Sequence, residues 1–311
     1  LIKTSFRDSD QYKSETFQTF KNNRLIIAQR LAAINGNSNG EFDVDGFPQG
    51  YGKNNQSVLI PAFISAYSGD DPNEISLSPI RSTPLPNWSI QYTGLINIDF
   101  IKERFKRFSL GHSYRSSYTL NNFKSNLEFD SSNNQITDLA GNFLNEILFT
   151  NINLVEQFNP LLKLDMELKN SIRVVMELKK DRALSLSLDN NLLTEVSGMD
   201  YSIGMGYRIK DLKFRNGFGG RQTVSKGDLN LKADLSLRDN ITIIRNLDID
   251  DNKVTAGQSI WSMKFSADYA LSKSFNAVFF YDHLFSEFAI STAFPQTTIR
   301  SGMTLRYNFG E

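Results

Sequence analysis

The sequence predicts an all-β chain: antiparallel transmembrane β-barrel strands behind a short helical N-terminal segment. Three observations carry this expectation. Long stretches alternate with a period of two, as where Ile172, Val174, Met176 and Leu178 interleave with Arg173, Glu177 and Lys179. No stretch approaches the roughly 18 consecutive apolar residues of a spanning helix, and mean hydropathy is −0.34. That excludes a transmembrane helix but not a barrel, whose outward apolar and inward polar residues average out in any window. The chain is also rich in aromatics, with 24 Phe and 11 Tyr among 311 residues, and several strands run well past ten residues with an aromatic-rich stripe on the face expected to lie outermost.

Residues 1–50 read as a polar lead, an amphipathic helix and a linker. Phe17, Phe20, Arg24, Ile27, Ala28 and Leu31 recur at helical spacing, Asn35-Gly36 ends the helix, and a Gly-, Asn- and Asp-rich stretch follows to Gln56. Residues 51–86 hold a short apolar helix or strand, Val58 to Tyr67, closed by Ser68-Gly69-Asp70-Asp71-Pro72. Residues 87–311 are almost all strand. Trp88, Ile90 and Tyr92 alternate; Asn97 to Glu103 makes a helical turn; residues 106–120 put Ser109, Gly111, Ser113, Arg115 and Ser117 opposite Leu110, His112, Tyr114 and Tyr118. Asn121-Asn122 is expected to pair Leu120 with Phe123, followed by strands over 145–157 and 161–169 on either side of Asn159-Pro160.

The centre is a long hairpin over residues 172–209. The apolar residues sit on even positions up to Leu178 and on odd positions at Tyr201, Ile203, Met205, Tyr207 and Ile209, so the parity flips between them. A two-residue turn at Asn190-Asn191 would flip it, since asparagine tolerates positive φ. That turn sets Leu178 against Ile203, Met176 against Met205 and Ile172 against Ile209. The apolar stripe is then about nine residues tall, close to a tilted membrane-spanning strand. Leu184, Leu186 and Leu188 continue it past bilayer height and should meet protein.

Residues 210–228 read as a loop with Gly217, Gly219 and Gly220. Residues 229–247 keep one parity, so Asp239-Asn240 need not turn. Trp261, Met263, Phe265, Ala267, Tyr269 and Leu271 form the next stripe. Ser272-Lys273-Ser274 turns into Phe275, Ala277, Phe279 and Tyr281, and the last strand carries Ile299, Met303, Leu305, Tyr307 and Phe309. The strands from Trp88 onward number roughly eleven, whereas single-chain bacterial barrels use an even number. The odd total and the absence of a signal-like leader suggest a piece of a longer chain, beginning partway round a larger barrel. With the carboxyl end in the periplasm, Asn190-Asn191 would face outside and the glycine loop inside.

Alternation assigns a lipid-facing set, Ile172, Val174, Met176, Leu178, Ile203, Met205, Tyr207, Phe265, Tyr269 and Phe279. The opposite parity gives a lumen-facing set, Arg173, Glu177, Lys179, Lys232, Asp234, Lys264 and Asp268. Charge is balanced, 34 basic against 34 acidic residues, which leaves no field to attract nucleic acid. Without cysteine there are neither disulfides nor thiolate metal sites. His112 and His283 have no nucleophile or second ligand at local spacing. Gly204-Met205-Gly206 lies inside a strand and Gly217-Phe218-Gly219-Gly220 before one, where a phosphate loop would need a helix to follow. Asp248, Asp250 and Asp251 lack the order and the glycine of a calcium loop. No enzyme, catalytic residue, cofactor or metal is expected. A soluble β-sandwich or adhesive protein would also alternate, with shorter strands and an apolar face packed on protein; an uptake barrel for small ligands is the other alternative.

Several segments resemble a known family. FQTFKNNRLIIAQRL from Phe17 to Leu31, VLIPAFISAYSG from Val58 to Gly69, PLPNWSIQYTGL from Pro84 to Leu95, SLGHSYRSSYTLNNF from Ser109 to Phe123, NPLLKLDMELKN from Asn159 to Asn170, and Asp228 to Arg245 are similar to the carboxyl-terminal region of the SprA/Sov proteins. Those are giant outer-membrane translocons of the Bacteroidota type IX secretion system, linked also to gliding motility. The resemblance implies an arc of a very large barrel, of about 36 strands, in the bacterial outer membrane. It implies a protein-export channel that passes folded cargo bearing a carboxyl-terminal sorting domain. The partners it implies are the lipid bilayer, a smaller PorV-like barrel subunit over a lateral opening, and a plug protein.

Overall fold

The strands, in chain order, are β1 (Trp88–Tyr92), β2 (Phe105–Asn121), β3 (Lys124–Ser125), β4 (Ile147–Leu148), β5 (Asn151–Leu168), β6 (Ile172–Ser187), β7 (Leu192–Asn216), β8 (Thr223–Asn246), β9 (Asn252–Ala270), β10 (Phe275–Phe288) and β11 (Gln296–Tyr307). In this computed structural model nine of them form one antiparallel sheet in the order β1-β2-β5-β6-β7-β8-β9-β10-β11, with β3 and β4 paired apart. The structure describes residues 2–5, 7, 13–36, 40–81, 84–216, 223–249, 251–270, 272, 274–290 and 293–309. The expectations placed on Gly217, Phe218, Gly219, Gly220, Asp250, Leu271 and Lys273 lie outside them. The described sheet is open, with β1 and β11 at its edges.

From β5 onward the sheet is an up-and-down meander, and its parity is the one the alternation predicts. Its registers are not all as expected. Met176 faces Ile203 and Val174 faces Met205, because the turn after β6 spans four residues, 188–191, rather than two. Asn191 does take the positive φ of 53°. The turn is widened by partners distant in sequence: Leu188 N–H donates to the Thr150 carbonyl and Leu247 N–H to the Asn191 carbonyl. The slip is by two residues, so every side chain keeps its face.

Other boundaries are corrected as well. Leu120 pairs with Ile152 rather than Phe123, the chain leaving and rejoining the sheet over residues 122–150. The two strands expected over 145–169 are one, β5, with β4 as a separate short piece. Its register jumps between Phe158 and Lys163 against β2 and between Phe158 and Leu162 against β6, so Pro160, which has no N–H to give the ladder, falls in a bulge. The expected loop over 210–228 is mostly strand, β7 running to Asn216 and β8 starting at Thr223. The eleven strands resolve into nine in the main sheet plus two of two residues each.

The helical segment is α1 (Ile2–Ser5), α2 (Glu15–Asn35) and α3 (Gln56–Ser68). Ser14 caps α2 by accepting a hydrogen bond from Phe17 N–H, and Gly36 ends it in the left-handed conformation at φ 60°. All six predicted contact residues of α2 are buried. The ambiguous apolar stretch is helix α3, buried on every side from Val58 to Ser68, as expected of a helix apolar all round. The polar lead contains the short α1, which polarity alone had not suggested. A 3-10 turn (Gly94–Asn97) and α4 (Asp99–Arg104) link β1 to β2.

The helices cap one end of one sheet face. Leu184 and Leu186 of β6, Leu193 of β7, and Ile152 and Leu154 of β5 are at most 4% exposed and share a core with Phe20, Ile27, Leu59 and Phe63. Leu188 packs against that core, so the upper leucines do meet protein. Each such burial contributes about 1.5–3 kcal/mol.

Candidate functional site

Below the cap the same face is open, and its composition changes. The register lines up Leu110, Leu164, Met176, Ile203, Leu235, Met263, His283 and Ile299 in one row across eight strands. Rows above and below it extend the belt over nine residues of β8, from Leu229 to Leu237, about 26 Å at strand rise. All ten residues predicted as lipid-facing lie on this face and none is buried. Met205 is 51% exposed, and Met303 on β11 67%. A shallow groove of about 390 Å³ runs between Leu162, Met176, Tyr201, Leu237 and Trp261. A contiguous apolar surface of this extent marks a contact with something other than water.

Aromatics stand at both borders of the belt, and Phe265, Phe279 and Tyr281 in its inner rows. Tyr201, Trp261 and Phe285 sit in its upper row, where Tyr201 faces Leu237 and Trp261 faces Phe285. Tyr207, Tyr269, Phe275 and Tyr307 sit in its lower rows, with Phe275 opposite Tyr307. Phe105 joins this lower group. A register shift between Phe105 and Arg107 returns it to the apolar face, and its ring meets Phe108 edge-on at 5.4 Å.

The opposite face is charged. All seven residues predicted as lumen-facing lie on it, with Arg173, Lys232, Asp234 and Lys264 exposed and Glu177, Lys179 and Asp268 half-buried. Signs alternate across strands: Asp234 faces Lys264, Lys264 faces Asp282 and Asp282 faces Arg300. Asp165 accepts from Arg107 at 3.0 Å and from Arg173 at 2.8 Å, and Lys163 and Lys179 flank Glu177 at 3.9 and 3.5 Å. Such exposed pairs contribute about 0–1 kcal/mol each, so their main effect is a hydrated, electrically neutral surface. Gly204 makes room for the Asp234 carboxylate on this face, since a Cβ there would stand 2.7 Å from Asp234 Oδ1.

Two ion pairs were missed by the alternation. Under the cap, on the parity of the apolar belt, Arg182 pairs with Glu156 and Arg245 with Glu195. Glu156 also accepts from Ser5 Oγ at 2.6 Å and from Tyr114 Oη at 2.8 Å, and Arg182 Nη2 donates to Thr4 Oγ1 at 2.9 Å. The available signal was a charged residue at an apolar-parity position: Glu156 among Ile152, Leu154 and Phe158, and Arg245 after Ile241 and Ile243. Burial pushes the neighbouring Tyr67 phenol far above its ordinary value, with the Glu195 charge adding to the shift.

The histidines have structural neighbours. His112 hydrogen-bonds through Nδ1 to the Leu161 carbonyl at 2.7 Å, and His283 lies edge-on to Trp261. Among the described residues no three His, Asp or Glu side chains converge as metal ligands, and no helix is long and apolar enough to cross a membrane. Comparison with protein-family models finds no match to the chain, and comparison with curated proteins finds none either.

Proposed function

We propose that the chain is an arc of the wall of a large outer-membrane β-barrel and that this barrel is a protein-export channel of the type IX secretion kind. The two-faced sheet carries the reading. A belt nine residues tall, bordered by aromatics, matches the lipid face of a barrel wall, and the neutral, hydrated opposite face suits a conduit that must not hold its cargo. Backbone edges cannot stay unpaired in lipid, so further strands complete the wall beyond β1 and β11. The segments similar to SprA/Sov proteins supply the export assignment. With it come the partners: lipid, a PorV-like barrel, a plug protein and cargo with a carboxyl-terminal sorting domain. No catalytic step is assigned to the chain.

The cap favours export over small-ligand uptake. An uptake receptor holds its plug inside the lumen, against the polar face. Here α2 and α3 sit on the face of the apolar belt, above it, and therefore outside the wall. In the source cell, an antibody against this chain should detect an outer-membrane band well above roughly 200 kDa, a size set by analogy with giant barrels, and depletion should trap sorting-domain cargo in the periplasm. A band at the size of 311 residues with unimpaired secretion would overturn the proposal.

A further inference from the structure

The segment joining β1 to β2 has a surface that the strand alternation does not explain. It descends toward the lower end of the sheet, the end remote from the cap, from Tyr92, which stands opposite Leu110 within the belt, to Phe105, which opens β2 opposite Leu168 at the lower border. Lys169 N–H donates to the Arg104 carbonyl at 3.1 Å, tying the end of α4 to the β5–β6 turn. Between these points lie Leu95, Ile96, Ile98, Phe100 and Ile101. Ile98 is 51% and Phe100 60% exposed, and no residue of the 3-10 turn or α4 is buried.

The charges beside them are arranged differently from those of the wall. Lys106 and Arg107, on β2, are paired with Glu167 and Asp165. Lys102 and Arg104, in the last turn of α4, form no salt bridge among the described residues, although Asp99 and Glu103 stand in the same helix. The Arg104 guanidinium lies over the Phe100 ring, 4.4 Å from its centroid. That is the posture of a cation whose stem follows an apolar surface while its head reaches a polar boundary. The next aromatic in the chain, Phe105, already belongs to the lower girdle.

We propose that Gly94–Arg104 is an interfacial anchor. It lies in the headgroup boundary of a phospholipid leaflet at the lower end of the wall, Ile98 and Phe100 entering the acyl chains and Lys102 and Arg104 engaging lipid phosphates. Exposed apolar side chains beside cations that make no salt bridge, next to an apolar belt, are what such a boundary binds. The anchor rests on the reading of the belt as lipid-facing, and its test separates the two. It would fix the depth of the wall in the bilayer from outside the strands.

The 311 residues hold no cysteine, so a single cysteine placed in them, within the complete barrel and with any cysteine elsewhere in it replaced, can carry a fluorophore after reconstitution in vesicles of phosphatidylethanolamine and phosphatidylglycerol. Phe100→Cys should be quenched about twofold more by a spin label high on the acyl chain than by one deep in it. Met205→Cys should show the reverse order, and Asp130→Cys, on an exposed loop, little quenching by either. Adding Lys102→Glu and Arg104→Glu should roughly halve the quenching at Phe100 and leave that at Met205 unchanged, which also reports an intact sheet. Quenching at Phe100 no greater than at Asp130, with Met205 quenched, overturns the anchor and leaves the belt standing. A Met205 label that is not quenched removes both. Phe100 quenching unaffected by the charge reversals overturns the phosphate contact.

Discussion

Arg245 Nε donates to Glu195 Oε2 at 2.9 Å in a pair whose side chains are 0% and 6% exposed, directly beneath the ring of Phe17, which lies 5.8 Å from the guanidinium carbon. The pair occupies the parity that carries the apolar belt lower down. One sheet face thus changes from apolar and open to partly ionic and covered within a few residues, and the change marks where the helical cap begins.

Removing one partner leaves the other charge buried. Glu195→Ala should destabilise the cap by about 3–5 kcal/mol, whereas replacing Glu195 and Arg245 together by methionine should be close to neutral or stabilising. Thermal unfolding of the single and double variants measures both, and equal losses in the two would contradict this account of the pair.

Tyr67 makes a different prediction. Its hydroxyl is buried with no hydrogen-bond partner among the described residues, a cost of about 1–3 kcal/mol. Tyr67→Phe should therefore be neutral or stabilising. The folded-state pKa is raised, so the buried neutral phenol contributes stability that is complete below the unfolded value of about 10 and is lost as pH rises beyond it. Stability measured against pH should fall less steeply above that value in Tyr67→Phe than in the parent.

The register of β6 and β7 can be read by cross-linking. Glu177 faces Ser202 directly, and opposed strand residues lie within disulfide reach. Cysteines at Glu177 and Ser202 should oxidise readily. Cysteines at Glu177 and Gly204, the partners a two-residue turn would give, should oxidise far more slowly.

This register shows what could and could not be read from the residues. Parity survived because alternation is local: Met176, Ile203, Leu235 and Phe265 stand on one face whatever the turns do. The turn length did not, because Leu188 and Leu247 give their N–H groups to Thr150 and Asn191, contacts that exist only once the sheet is assembled. The same holds for Leu120, whose partner Ile152 lies beyond a long excursion. Both faces of the candidate wall were thus visible in advance, while Glu156 with Arg182 and Glu195 with Arg245 were hidden. A charge on an apolar stripe becomes intelligible only when α1 and α2 are seen to cover it.

If lipid covers the belt, the two faces should differ in the charge they tolerate. Ile203→Arg should cost about 2–4 kcal/mol in the folding of the reconstituted protein, as charges do at the midplane of a barrel's lipid face, and Ser202→Arg, one residue away on the charged face, less than about 1 kcal/mol. Denaturant titration from bilayers measures the pair, and equal costs would remove the distinction between the faces.

The central claim is that lipid covers the belt and water the opposite face, and thiol accessibility in bilayers tests it most directly. Single cysteines at Met205 and Phe265 should be protected from a membrane-impermeant thiol reagent, while those at Glu177 and Lys264 react. Reaction at Met205 and Phe265 with protection at Glu177 and Lys264, or equal reaction at all four positions, would contradict it.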